Sequence, residues 1–137
     1  MILGIAHIAV AVENIDKSLK FWQKDLGLCL EGIEEVQSEG VKTAFLSSGK
    51  NLKMHIELLE ALQPESPVGK FIARLGRGGI HHIAFFVDDI EKEIVNFVSK
   101  GYQFVNPLPR HGAHNTRIAF LHPKSCEGVL IELVQQE

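Results

Sequence analysis

A chain of 137 residues, 45% hydrophobic and 23% charged, is long enough to bury a core and ordinary in composition for a folded globular protein, which excludes disorder. Its net charge of −3, with acidic and basic residues interspersed, gives no electrostatic footprint for nucleic acid and no basic helix for a membrane surface, so the expected partner is a small molecule. Met1 leads straight into an apolar alternating segment without a basic start or cleavage site, and no apolar run approaches a membrane span; a cytoplasmic protein is expected.

Residues 3–12 alternate Ile, Val and Ala and read as a strand. Asn14 then caps a helix whose apolar positions Ile15, Leu19, Trp22 and Leu26 recur at helical spacing, and Gly27 ends it. Strands follow at 29–37, 41–48 and 52–60, broken by Gly40 and Gly49, which makes a βαβββ unit. Ser66-Pro67 opens a linker helix that Gly76 stops. A second βαβββ unit runs from a strand at 80–87, through a helix opened by Asp89 and closed by Gly101, to strands at 103–106, 115–121 and 128–135. The expected organisation is one domain over 1–137, with module one at 1–62, the linker helix at 63–78 and module two at 79–137. Cys29 and Cys126 form no C-x-x-C pair, so neither a disulfide nor a thiolate metal site is expected; Cys29, in the apolar alternation after Gly27, is expected to be packed, and Cys126 to lie in a loop.

The two units are copies. Ile5-Ala6-His7-Ile8-Ala9 corresponds to Ile80-His81-His82-Ile83-Ala84, Ile56-Glu57-Leu58 to Ile131-Glu132-Leu133, and Phe45-Leu46 to Phe120-Leu121, all at one offset of 75 residues. Each histidine of the repeat is followed 50 residues later by a glutamate. Alternate strand residues share a face, so His7 points with Ala9 and Ala11, His82 with Ala84 and Phe86, Glu57 with His55 and Leu59, and Glu132 with Leu130 and Val134. Those are interior faces, where an ionised carboxylate costs several kcal/mol unless it is paired or bound to a metal. No Lys or Arg is equally placed, and His7, Glu57, His82 and Glu132 therefore read as one duplicated metal site.

With the repeated H-I-A opening strand, Ile56-Glu57-Leu58-Leu59-Glu60, Ser66-Pro67, Gly79-Ile80-His81-His82-Ile83-Ala84-Phe85, Phe120-Leu121-His122-Pro123-Lys124-Ser125 and the final Gly128-Val129-Leu130-Ile131-Glu132-Leu133, nearly the whole chain resembles the methylmalonyl-CoA epimerase family. That family belongs to the glyoxalase, or vicinal oxygen chelate, superfamily. The resemblance implies an α+β fold of two βαβββ modules forming an eight-stranded open barrel around a divalent cation, the glyoxalase/bleomycin-resistance fold, usually as a homodimer. It places the family's metal ligands on His7, His82 and Glu132, and its Gln-or-Glu ligand on Glu57. Two imidazoles and two carboxylates suit Co, Zn, Ni or Mn. The implied reaction interconverts the α-carbon epimers of methylmalonyl-CoA, an acyl-CoA substrate, by removing a weakly acidic proton while a Lewis-acid cation stabilises the enolate. Glu132 is the implied base on one face of the carbon.

One position departs from the family. The epimerases carry a glutamate two residues before the Gly-Val that opens the third strand, and here that position is Ser38. Glu39 is the substitute candidate for the second base, provided that a turn at Gly40 re-aims a side chain that regular alternation would send to the other face. The added length between Phe45 and Glu57 is expected in the hairpin at Gly49-Lys50-Asn51. His81 and His122 read as structural, the latter as a turn residue bonding backbone, and His55 as a support for Glu57. Arg110–Asn115 reads as a polar loop carrying His111 and His114 toward substrate or solvent, and Arg74, Arg77, Arg110 and Lys124 as the cations available to CoA phosphates. Two rival functions remain: glyoxalase I, a lactoylglutathione lyase with the same ligand quartet, and a metal-free sequestering module of the same fold, which would lack that quartet. An extradiol dioxygenase is disfavoured, because a fourth protein ligand crowds the positions that oxygen chemistry needs open.

Overall fold

The opening alternation of Ile, Val and Ala forms β1 (Ile2–Ala11) in the computed structural model, which describes residues 1–49 and 54–137. Asn14 leaves the strand in an extended conformation and its side chain accepts from the Lys17 backbone N–H at 2.9 Å, starting α1 (Ile15–Leu19) as expected. The helix does not continue as α to Gly27. Lys20–Asp25 widens into a π-helical turn, with Leu26 N–H donating to Phe21 C=O five residues back at 2.7 Å. That extra residue per turn breaks the helical phase, which is why Leu19 and Trp22 pack on the core while Leu26, expected on the same face, is exposed.

β2 (Cys29–Val36), β3 (Val41–Ser47) and β4 (His55–Ala61) complete the first βαβββ copy. β2 pairs antiparallel with β3, β3 antiparallel with β4, and β4 parallel with β1, in register His7 with His55 and Ala9 with Glu57. Lys50 and Asn51 of the expected hairpin, and residues 52–53 of the expected fourth strand, lie outside the described residues. Cys29 is exposed rather than packed, because the alternation of β2 turns it outward with Glu31, Ile33 and Glu35. Then α2 (Pro67–Leu75) forms between the capping Ser66, whose hydroxyl accepts from Gly69 N–H, and a left-handed Gly76.

In the second copy β5 (Gly79–Val87) leads to α3 (Ile90–Ser99), capped by Asp89, which accepts from Lys92 N–H. The strand expected at 103–106 is a single bridge, Phe104 with Leu121. Val105 N–H still reaches Phe120 C=O, but Pro107 and Pro109 follow, neither able to donate to a ladder, and pairing stops. Pairing resumes as β6 (Arg110–Gly112), so half of the expected polar loop is strand, followed by β7 (Thr116–Leu121) and β8 (Ile131–Gln136). β6 and β7 are antiparallel, as are β7 and β8, and β8 runs parallel to β5.

Among the described residues eight strands form one mixed sheet in the order β2-β3-β4-β1-β5-β8-β7-β6, with three α-helices, the expected fold class. The chain divides into two compact units, His7–His81 and Met1–Ala6 with His82–Glu137. In the first unit, Val12, Ile15, Ala44, Leu46 and Leu58 form one buried cluster under Trp22, and Ala9, Ala11, Val41, Leu59 and Val68 another under Phe71. In the second, Val87, Ile90, Ala119 and Leu133 pack with Phe97 and Phe104, and Ala6, Ala84, Ile118 and Val134 pack with Phe86 and Phe120. No helix of the described residues is long and apolar enough to cross a membrane.

Candidate metal centre and active site

The strand register builds each half of the site the same way. In the first copy His7 projects from β1 two residues before Ala9, and Ala9 stands opposite Glu57 on β4. Glu57 in turn stands opposite Phe45 on β3. His7 Nδ1 and Glu57 Oε1 approach to 3.3 Å. His7 is buried as expected, whereas Glu57 is only half-buried.

In the second copy His82 projects from β5 two residues before Ala84, and Glu132 on β8 stands between Ala84 and Phe120 of β7. His82 Nε2 and Glu132 Oε2 lie 2.6 Å apart, and both side chains are 6% exposed. The Phe120 ring meets the His82 imidazole edge-on, centroids 5.3 Å apart and planes at 85°. A carboxylate withdrawn this far from water stays ionised only against a partner that replaces its hydration.

Three of the four expected ligands, His7, His82 and Glu132, are buried and offer ligand atoms within 4.8 Å of one another, a group that can hold one metal ion. Two imidazole nitrogens and a carboxylate oxygen are the donor set of borderline divalent cations such as Zn, Co or Ni, so the residues fit the expected metal. Glu57, outside that trio, stands against His7.

Glu39 is not a residue of a regular strand. Gln37–Glu39 forms a 3-10 turn closed by Gly40 at φ 65°, with Gly40 N–H donating to Gln37 C=O at 3.1 Å. A side chain at Gly40 would be strained by that left-handed backbone, and its Cβ would come 3.0 Å from the Ser66 Cβ that caps α2. The turn overrides strand alternation: Glu39 is half-buried with its Oε1 shut off from solvent, while Ser38 is exposed.

The remaining histidines divide as follows. His81 stacks edge-on against Phe71 at 4.8 Å, and the His122 Nδ1 accepts from Lys124 N–H at 3.1 Å, the structural roles expected of both. His55 pairs in register with His7. His111 and His114 are exposed, His111 Nδ1 lying 3.9 Å from Glu137 Oε2. Of the expected phosphate-binding cations, Arg74 sits over the Phe71 ring and Arg77 donates to Gly78 C=O. Cys126 is half-buried, and burial pushes its thiol pKa up, which leaves it a poor nucleophile. What sequence reasoning missed is the flanking of each glutamate by alanine and phenylalanine. The signal was present, since Ala9 and Ala84, like Phe45 and Phe120, share the offset of the ligands.

The family model for the Glyoxalase/Bleomycin resistance protein/Dioxygenase superfamily matches residues 6–120. The mitochondrial methylmalonyl-CoA epimerase of Dictyostelium discoideum is 36% identical over 131 residues, 95% of this chain and 76% of the relative. A crystal structure of methylmalonyl-CoA epimerase from Mycobacterium tuberculosis superposes with a TM-score of 0.93 at 32% identity, over 99% of this chain and 89% of that one. A methylmalonyl-CoA epimerase in complex with methylmalonyl-CoA and NH4+ superposes with a TM-score of 0.91 at 34% identity, over 99% and 96% of the two chains.

Proposed function

Since the chain belongs to the methylmalonyl-CoA epimerase family of the glyoxalase superfamily, we propose that it interconverts the two α-carbon epimers of methylmalonyl-CoA, an acyl-CoA substrate, by proton transfer through an enolate. The observation that carries the reading is the buried trio His7, His82 and Glu132, two imidazoles and a carboxylate drawn together where nothing but a cation or a proton would reward their burial. We assign the trio, with Glu57 beside His7, as the residues that hold one divalent ion, Co, Zn, Ni or Mn. Such an ion, when bound, supplies Lewis-acid stabilisation of charge developing on the thioester oxygen.

The protein's own part is to move protons. Glu132 as carboxylate takes the α-proton from one face of the carbon, leaving the electron pair delocalised as the enolate. His82, its Nε2 2.6 Å from Glu132 Oε2, is placed to share the ion with that carboxylate and so to keep it at the site. Glu39, protonated, returns a proton to the opposite face, so each turnover leaves Glu132 protonated and Glu39 ionised, ready for the reverse direction. The left-handed turn at Gly40 supports this role, because it withdraws one oxygen of Glu39 from solvent. The working unit in this reading is a homodimer of single-domain chains spanning 1–137.

Chromatographic separation of the epimers tests the proposal. Protein loaded with cobalt(II) and given one epimer of methylmalonyl-CoA should drive it to the equilibrium mixture, and a chelator should abolish the conversion. No conversion by fully metallated protein, together with formation of lactoylglutathione from methylglyoxal and glutathione, would replace the epimerase with the lyase of the same ligand set.

A further inference from the structure

In this fold a histidine and a glutamate of one copy are diagonal neighbours rather than opposite ones. Glu132 stands opposite Ala84, two residues beyond His82 on the same face of β5. With neighbouring strands about 4.8 Å apart and a rise of about 3.3 Å per residue, directly opposite side chains begin about 5 Å apart and diagonal ones about 8 Å. The observed 2.6 Å contact therefore requires the Glu132 and His82 side chains to lean toward each other along the sheet.

Two neighbours supply the lean. On the β5 side the opposing residue is Ala84, fully buried and ending at a methyl, which leaves the way to His82 open. On the β7 side it is Phe120, whose ring packs with Ala84, Ile118 and Val134 and meets His82 edge-on at 5.3 Å. The same row is built in the first copy as Ala9, Glu57 and Phe45.

Resting on the proposed reaction, we infer that Ala84 and Phe120 are positioning residues. The methyl makes room on one flank of Glu132, and the ring closes the other while holding the His82 imidazole at a fixed tilt. Neither touches the reacting atoms. Both act through the His82–Glu132 pair, and their loss loosens the pair without emptying the site of ligands.

The test compares Phe120→Leu, Phe120→Tyr and Ala84→Val with Phe104→Leu, which removes a ring from the neighbouring core cluster. The probes are cobalt(II) affinity by competition with a chelator, kcat against KM for methylmalonyl-CoA, and the His82 imidazole resonances in the metal-free protein. Phe120→Leu and Ala84→Val should weaken cobalt(II) binding by about tenfold, the usual size of an effect exerted through a ligand's support. Their kcat should fall by a similar factor with KM nearly unchanged. Phe120→Tyr, which keeps the ring edge, should rescue both quantities, and Phe104→Leu should lower Tm but leave cobalt(II) affinity alone.

Wild-type affinity and kcat in Phe120→Leu would overturn the inference, as would an equal loss of affinity in Phe104→Leu. Should the wild type bind cobalt(II) and fail to epimerise methylmalonyl-CoA, the affinity series still decides the inference, and only the proposed substrate is lost. Should the wild type bind no cobalt(II), the metal-free spectra decide it. Ring-current-shifted His82 signals kept in Phe120→Tyr and lost in Phe120→Leu support the positioning role, and unchanged signals in Phe120→Leu defeat it.

Discussion

The two copies of the βαβββ unit share ligand types, register and flanking residues, yet they are not equally tight. In the second copy the His82–Glu132 contact is 2.6 Å and both groups are buried; in the first the His7–Glu57 contact is 3.3 Å and the glutamate is half-buried. The hairpin turns diverge as well. After β2 the chain needs four residues, Gln37–Gly40, the left-handed position falls to a glycine, and Glu39 beside it is half-buried with one oxygen shut off from solvent. After β6 it needs three, and His114 and Asn115 are both left-handed, at φ 54° and 55°, with His114 exposed. Duplication thus supplied two similar frames, and the proposed reaction divides its two bases between them: the tighter glutamate, Glu132, in one and the turn carboxylate, Glu39, in the other.

Substitutions can break this asymmetry. The largest effect is expected for Glu132→Gln, which keeps the shape and removes the base; kcat should fall by about 10³-fold, within the usual range for general acid–base groups. A steady-state assay of epimer conversion checks it, and an unchanged kcat would shift the base role elsewhere. Glu39→Gln should cost about 10²-fold in kcat, and more sharply, should leave wash-out of the α-proton from one epimer faster than its conversion to the other, since only one face is then served. Equal effects on both epimers would remove Glu39 from the mechanism.

The corresponding change in the looser pair, Glu57→Gln, is expected to weaken metal binding by about tenfold with a smaller loss of kcat than Glu132→Gln, because amide oxygen can replace a carboxylate at that position. Competition with a chelator measures it, and a loss as large as that of Glu132→Gln would erase the distinction between the copies. The smallest effect concerns a tie at the edge of the second copy. Arg117 donates to Glu91 at 2.5 Å, and this hydrogen bond holds the Glu91 carboxyl below the usual carboxylate range. A depressed carboxyl stabilises the fold above its unfolded pKa, and that contribution disappears as pH falls through the folded pKa. Arg117→Met should therefore lower Tm by about 1 °C at pH 7, since exposed pairs are weak, and the gap to wild type should close in acid. A gap independent of pH would assign the loss to packing of the arginine stem.

Much of this is legible in the sequence, for identifiable reasons. Caps are local, so Asn14, Ser66 and Asp89 announced their helices, and an offset of 75 residues linked His7 to His82 and Glu57 to Glu132 without any structural input. The failures share a physical cause, a change of local geometry that periodicity cannot see. The π-helical turn at Lys20–Asp25 moved Leu26 off the core face, and Pro107 and Pro109 displaced the sixth strand to Arg110–Gly112. The turn at Gly40 is readable as a condition on Glu39, but strand alternation does not say which way a turn residue faces. Glu57 was expected to be as buried as Glu132, and strand alternation has no means of ranking two residues that it treats as identical.

Deuterium incorporation at the α-carbon of methylmalonyl-CoA in heavy water, followed by NMR with cobalt-loaded wild type beside Glu132→Gln and a chelated control, tests the central claim most directly. The account predicts fast exchange by the wild type and loss of exchange in both controls. Exchange that persists in Glu132→Gln or after chelation, or none from the fully metallated wild type, would contradict it.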